Sequence, residues 1–255
     1  MPTRDELRTR LFLNAALPLV KVVREENKTL RHLTSKLKGV VQFEVKNTDW
    51  GAHLIYGHGE LEFQRGKHEK PDVAFIFKDL VQLNNFFSGK SMMLSWVKGI
   101  YRLDLIAATM PLLLSLKMLM PAADPKEPAK RALKVKLLLY MVTAALSQLN
   151  KAGDELMTKL TKGSPDRVYQ WSVTNGPAAF LRMKNGKTKA GRGEYTRRRP
   201  FVLMKFPDLD GAYQVLTSKA PLVEAVKKGY VVTEGAMEYS KEIGLRMQYI
   251  EELMA

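Results

Sequence analysis

The chain has no cysteine in its 255 residues. Disulfides, thiolate metal sites and cysteine nucleophiles are excluded, and so is a small secreted scaffold stapled by disulfides. Histidine is scarce. His32, His53, His58 and His68 are the four. His53 and His58 lie an odd number of residues apart, on opposite faces of any one strand, and no metal-ligating set emerges. Acidic residues are few beside basic ones, 26 against 41, for a net charge of +15. The excess is +5 over residues 1–125 (18 basic, 13 acidic) and +10 over 126–255 (23 basic, 13 acidic). It favours anionic partners (phosphate-bearing ligands, anionic lipid surfaces or nucleic acid) or else serves as a solvated basic surface. Long apolar runs are missing as well. Residues 105–116 and 137–146 fall short of the ~20 needed to span a bilayer. Residues 11–20 follow Arg8 and Arg10 but also Asp5 and Glu6, and no small-residue cleavage site comes after them. They read as an amphipathic helix rather than a signal peptide. A cytoplasmic protein is expected, with a peripheral place at membranes as an option.

What the sequence does contain is a set of words that occur twice. Val41-Gln42-Phe43-Glu44-Val45-Lys46-Asn47 returns as Tyr169-Gln170-Trp171-Ser172-Val173-Thr174-Asn175, 128 positions later. Lys70-Pro71, an apolar run to Phe77 and Asp79-Leu80 return as Arg199-Pro200, a run to Phe206 and Asp208-Leu209, at 129. Lys90 matches Lys219 at 129, and Gly99 matches Gly229 at 130. This spacing suggests a duplicated unit of about 120 residues. Three prolines in residues 121–128 mark the linker, so the expected domains are 1–121 and 122–255.

Each half reads in the same order. Thr3 and Glu6 form a capping box before a helix that Pro18 kinks or divides and that resumes through Leu37 to a stop at Gly39. Strands follow at 41–45, 52–56 and 61–63, then a wholly apolar strand at 73–77. Asp79 caps a short helix, residues 91–97 suggest a further helical turn or two, residues 101–105 alternate as a strand, and an apolar helix closes the half. The second half has a long helix over 129–160, strands at 168–174 and 178–183, an Asn185-Gly186 hairpin turn, a strand at 201–206, helices at 208–216 and 222–228, a strand at 230–233 and a helix at 236–253. The expected fold class is α+β.

This order and these words resemble the SCP2-like (sterol carrier protein 2) lipid-binding domain. In residues 28–120 the resemblance is carried by Pro71-Asp72-Val73, Asp79-Leu80, Ser88-Gly89-Lys90 and Val97-Lys98-Gly99. In residues 150–254 it is carried by Arg199-Pro200, Asp208-Leu209, Ser218-Lys219 and Lys228-Gly229, without the glycine before Lys219. It implies two tandem units, each a five-stranded, mostly antiparallel sheet with helices over one face. It also implies an apolar tunnel that carries a fatty acid, acyl-CoA, sterol or phospholipid without catalysis or cofactor. Tandem copies and the basic insertion at 192–199 depart from the family's usual form.

The candidate tail-binding residues are Phe86, Phe87, Met92, Met93, Trp96, Met110, Leu113, Leu114 and Met118. Thirteen methionines supply flexible thioethers that adapt to irregular apolar shapes. At roughly 0.8 kcal/mol per buried CH₂, a sixteen-carbon tail gains on the order of 10 kcal/mol. The same residues also suit plain core packing. Arg192, Arg197, Arg198 and Arg199, with Arg182, Lys184, Lys187 and Lys189, are expected to make one positive face for an anionic head group or membrane. A merely solvated loop is the alternative. Tyr195 alone interrupts these cations, which argues against a nucleic-acid stacking platform. The phosphate-loop candidates fail. Asn84 stands where a Walker motif needs its first glycine, and Glu62 and Thr196 stand where dinucleotide fingerprints need their third. No serine sits in a nucleophile elbow, and the scattered carboxylates give no acid/base pair that the sequence can place. Lipid carriage is the expectation. A structural or regulatory oligomerisation module with filled cavities, and an accessory domain to an enzyme, are the alternatives. Oligomeric state is left open.

Overall fold

A computed structural model describes residues 1–220 and 222–254. Pro221 and Ala255, both in the expected second domain, lie outside the described residues. Two compact units are formed in the main by Thr3–Met120 and Pro121–Leu253.

In the first unit, Thr3 and Glu6 cap α1 (Arg4–Leu11) reciprocally. The Thr3 N–H donates to Glu6 Oε2 at 2.7 Å, and the Glu6 N–H donates to Thr3 Oγ1 at 3.2 Å. Pro18 lacks an N–H, and its ring crowds the carbonyl one turn back. The helix responds by widening to a π turn over Phe12–Ala16 and tightening to a 3₁₀ turn over Leu17–Leu19 before α2 (Val20–Glu26) resumes. Asn27 then breaks the helix and caps α3 (Lys28–Thr34), accepting from the Leu30 N–H. Strands β1 (Gly39–Val45), β2 (Gly51–Gly57), β3 (Glu60–Arg65) and β4 (Val73–Phe77) follow. Next come α4 (Leu80–Phe87), β5 (Trp96–Lys98) and α5 (Leu103–Ser115). The sheet order is β3-β2-β1-β4-β5, antiparallel except for the parallel pair β1–β4. All five residues of β4 are buried, as its unbroken apolar run requires.

The second unit opens with α6 (Pro128–Ala152), which ends at Gly153 in the left-handed conformation (φ 77°). Among the described residues it is the one helix long and apolar enough to cross a membrane by length and composition. Its apolar stretch therefore exceeds the run at 137–146, but most of it is buried against the unit's own sheet and helices. It is followed by α7 (Glu155–Thr161), β6 (Arg167–Val173), β7 (Ala178–Lys184), β8 (Lys187–Arg192), β9 (Val202–Phe206), α8 (Leu209–Leu216), α9 (Leu222–Lys227), β10 (Val232–Gly235) and α10 (Ser240–Met254). The order is β10-β9-β6-β7-β8, again with one parallel pair, β6–β9. The protein is thus α+β, with two five-stranded, mostly antiparallel sheets covered by helices.

The repeated words fall at equivalent places in the two sheets. Val41 pairs with Val73 in one parallel ladder, and Tyr169 pairs with Val202 in the other. Phe43 and Trp171 sit one step further along, both fully buried. The glutamines between them point to the opposite face. The Gln42 side chain accepts from the His68 N–H at 2.5 Å, and the Gln170 side chain accepts from the Tyr195 N–H at 2.9 Å. Each ties the following loop to its sheet. Asp79 and Asp208 each cap the next helix through its third N–H.

Two expectations fail at the sheet edge. Residues 91–97 form no helix, and residues 101–105 form no strand. The edge strand is β5, at Trp96–Lys98, and α5 starts at Leu103. The apolar spacing of Met92, Met93, Trp96 and Val97 is helical, but β4 offers an open edge, and Phe75 and Ile76 take Val97 and Trp96 as partners. Gly99 closes the strand at φ 75°. A Cβ there would lie 1.7 Å from the Asp72 carbonyl oxygen. Its structural counterpart is Gly235 (φ 90°), where a Cβ would lie 2.2 Å from the Phe201 carbonyl oxygen. The match of Gly99 to Gly229 is therefore corrected. At this edge the units are 136 positions apart, as the partners Trp96–Ile76 and Val232–Lys205 also show.

Candidate functional site: an apolar groove in the first unit

Helices α4 and α5 are each fixed by a buried polar contact. Asn84 on α4 accepts from Thr9 Oγ1 at 2.9 Å and donates to the Asp5 carbonyl at 3.1 Å, which anchors α4 to α1. Tyr56 on β2 shares a buried hydrogen bond of 2.8 Å with Thr109 on α5. Burial pushes the Tyr56 phenol up to about 12, so it stays neutral and this bond persists. Between these anchors the helices leave a groove.

The groove is lined by Phe86 and Phe87 of α4, Met92 of the following loop, Met110, Leu113 and Leu114 of α5, and Lys117 in the 3₁₀ turn Leu116–Leu119. Its volume is about 20 Å³, room for roughly one water molecule. Aromatic rings, some stacked and some edge-on, make the floor. Phe87 packs 5.8 Å from Phe12, 5.7 Å from Phe43 and 5.4 Å from Phe86, and Phe43 stacks on Phe75 at 5.2 Å. This aromatic floor is rigid. The walls are softer. Met92 and Met110 carry flexible thioethers, and Pro111 inside α5 removes one helical hydrogen bond.

Six of the nine apolar residues singled out in the sequence therefore come together. Met93, Trp96 and Met118 do not line the groove. Met93 is 72% exposed and Trp96 65% exposed, whereas Met118 is half-buried in the 3₁₀ turn. Sequence reading missed Lys117, the cation at the lip. The signal was available, since Lys117 falls three and four residues after Leu114 and Leu113 and so shares their helix face.

The four arginines lie in the second unit and do not form one positive face. Tyr195, in their loop, packs edge-on against Phe180 at 5.0 Å. Phe180 pairs with Gln170, so this loop covers the sheet face away from Trp171. The helix α6 touches the other face, where Ser147 bonds Thr188 of β8 at 3.1 Å. Arg192 turns toward that helix and lies 5.2 Å over the Tyr140 ring. Arg198 pairs with Asp166 at 2.6 Å, alongside Arg182, which donates two bonds to the same carboxylate. These bonds hold the Asp166 carboxyl at about 2. Arg199 reaches Glu234 at 3.6 Å, and Arg197 is exposed. Alternating strand faces and internal carboxylates disperse a cluster that looked contiguous in sequence.

No family model matches the chain, and no curated protein matches it. Solved structures do. Sterol carrier protein 2 like 2 from Aedes aegypti aligns at 14% identity over 43% of this chain and 96% of its own, with a TM-score of 0.29. Sterol carrier protein 2 from Yarrowia lipolytica, in its apo form, aligns at 15% identity over 42% of this chain and 90% of its own, with a TM-score of 0.32. The stereoselective inverting sec-alkylsulfatase Pisa1 from Pseudomonas sp. aligns at 18% identity over 56% of this chain and 28% of its own, with a TM-score of 0.27.

Proposed function

We propose that the chain binds an amphipathic lipid without catalysis, holding the tail between α4 and α5 of the first unit, and that its two units are divergent copies of one SCP2-like domain. The groove carries this reading. Six large apolar side chains, two of them methionines, meet over an aromatic floor, with one exposed lysine at the lip. A tail leaves water for that floor, and Lys117 offers a charge-assisted hydrogen bond to a carboxylate or phosphate at the mouth. A groove of about 20 Å³ is closed to a hydrocarbon chain. Uptake therefore requires α5 to move away from α4, and the methionine walls and Pro111 are the compliant parts. The mechanism is partitioning, and in this reading the protein works in the cytoplasm as a carrier.

Native mass spectrometry followed by organic extraction tests the proposal. A lipid co-purifying in stoichiometric amount is the expected result. A chain that is empty under all growth conditions and does not take up a fluorescent fatty acid would sink the proposal and leave a filled structural module. Leu114 is 45% exposed at the groove, so Leu114→Asp leaves the fold intact while placing a charge where the tail enters. Fatty-acid affinity is expected to fall by at least about tenfold, read by displacement of the fluorescent probe.

A further inference from the structure

Beside the groove lies a surface that the binding site does not use. Met92, Met93, Trp96, Ile100, Tyr101 and Leu103 are all exposed, within twelve consecutive residues. Single exposed apolar side chains are ordinary, but six within one short segment point to an interaction surface. Three features indicate what it meets. First, residues 80–103 contain no aspartate or glutamate, and Lys90 and Lys98 within them are exposed. Second, the third cation of the segment, Arg102, is held by Asp72 at 3.0 Å and Asp104 at 2.8 Å, which fixes the chain where α5 begins. Third, Trp96 and Lys98 alternate with Val97 on the edge strand and so share one face. Tryptophan and tyrosine beside lysine, around an apolar tip, match the layered polarity of a bilayer interface. A protein partner would instead favour a surface depleted in lysine.

We propose that residues 90–103 dock the first unit on an anionic lipid surface, with Met93, Trp96, Ile100 and Tyr101 entering the head-group layer and Lys90 and Lys98 facing the phosphates. Met92 belongs both to this surface and to the groove wall and so links the two, while Trp96 and Lys98, in register with Ile76 and Ala74, lie on the sheet face away from Phe43 and Phe75. The inference deepens the lipid-binding reading and rests on it for its purpose, but it is tested separately. It also moves the membrane contact from the arginine-rich loop at 192–199 to an apolar segment of the first unit.

The test is co-sedimentation of the full chain with vesicles of phosphatidylcholine, with and without phosphatidylglycerol. Met93→Ser, Trp96→Ser and Tyr101→Ser are combined in one variant. All three side chains are exposed, and none carries charge, so the net charge of +15 is unchanged. Partitioning to the anionic vesicles is expected to fall by at least about tenfold, with the circular dichroism spectrum unaltered. Brominated phosphatidylcholine mixed into the vesicles is expected to quench Trp96 fluorescence, and Trp96→Phe to abolish that quenching. Unchanged partitioning of the triple variant would overturn the proposal, because charge alone would then explain binding. So would a triple variant that loses self-association but keeps vesicle binding, since the face would then join two copies of the chain. Fatty-acid uptake separates this inference from the groove. Leu114→Asp is expected to lower uptake and leave vesicle binding in place, and the triple variant to do the reverse.

Discussion

The two units build the same sheet and then connect its edge differently. In the first, residues 88–95 join α4 to β5 without a helix. In the second, residues 217–231 join α8 to β10 and contain α9. The difference is seven residues, the same seven by which the spacing grows from 129 at the helix caps to 136 at the edge strands. A second contrast lies beside it. The N–H groups of Asp72 and Phe201 make the same bond, to the Val40 and Val168 carbonyls. Asp72 binds the Arg102 guanidinium, whereas Phe201 lies 4.4 Å from that of Arg167, with Tyr239 beside it at 4.3 Å from the same guanidinium. The two parallel ladders keep the same pairing although their inward residues differ, Val41 against Tyr169 and Phe43 against Trp171. The edge connection differs, and with it the surface the unit shows. In the first unit that surface is the apolar segment next to the groove.

The sharpest way to break this comparison is at the edge glycines. Gly99→Ala and Gly235→Ala each force a Cβ against a backbone oxygen at positive φ, and each is expected to cost about 2–4 kcal/mol. Gly229 also has positive φ, 71°, but a Cβ there meets nothing within 4 Å. Gly229→Ala is therefore expected to cost only about 1 kcal/mol. Urea unfolding of the three variants decides between the two alignments. A Gly229→Ala cost equal to that of Gly99→Ala would restore the sequence pairing of Gly99 with Gly229 and undo the structural one.

That ambiguity shows what was legible in the sequence. Strands with alternating or unbroken apolar patterns, the aspartate caps and the Asn185-Gly186 turn were readable because each is a local signal. So was the set Phe86, Phe87, Met110, Leu113 and Leu114, which two helical periodicities place on facing sides. The edge strand was not readable, since β5 is three residues long and is set by the open edge of β4 rather than by its own pattern. The separation of the arginines was not readable either. Neighbours in sequence on a strand and loop point to opposite faces, and Asp166, sixteen residues before Arg182, claims two of the cations.

Asp166 supports a comparison under acid. Hydrogen bonds from Arg182 hold its carboxyl at about 2, and bonds from Tyr213 and Lys219 hold Asp124 at about 2 as well. Both lie in the second unit. A carboxylate held below its unfolded value adds stability that is present above about pH 4 and lost as pH falls through about 2. The second unit is thus expected to lose stability across that window. Asp166→Asn should flatten this part of the pH profile, and both charges lie at the surface, so the change is small. Acid titration followed by Trp171 fluorescence is the check. A wild-type profile unaltered by the substitution would show that the Arg182 and Arg198 contacts do not persist in solution.

The smallest expected difference concerns the missing glycine. After α4, Gly89 turns the chain at φ 75° while the Lys90 N–H bonds the Asn85 carbonyl. After α8, Ser218 takes the same turn at φ 54°, and the Lys219 N–H bonds the Gln214 carbonyl in the equivalent way. The backbone pattern survives without glycine because a compensating contact exists, the Ser218 hydroxyl donating to Glu251 Oε2 at 2.7 Å. Gly89→Ser, which acquires the left-handed strain without that partner, is expected to cost about 1 kcal/mol. Ser218→Gly relieves the strain but loses an exposed hydrogen bond of similar size, so its net effect is expected to lie within about 0.5 kcal/mol of zero. Combining Ser218→Gly with Glu251→Ala separates the two contributions. If the strain and the hydrogen bond offset each other, the glycine should stabilise the Glu251→Ala background more than it stabilises the wild type. Equal effects in the two backgrounds would mean that the serine holds its turn without help from α10.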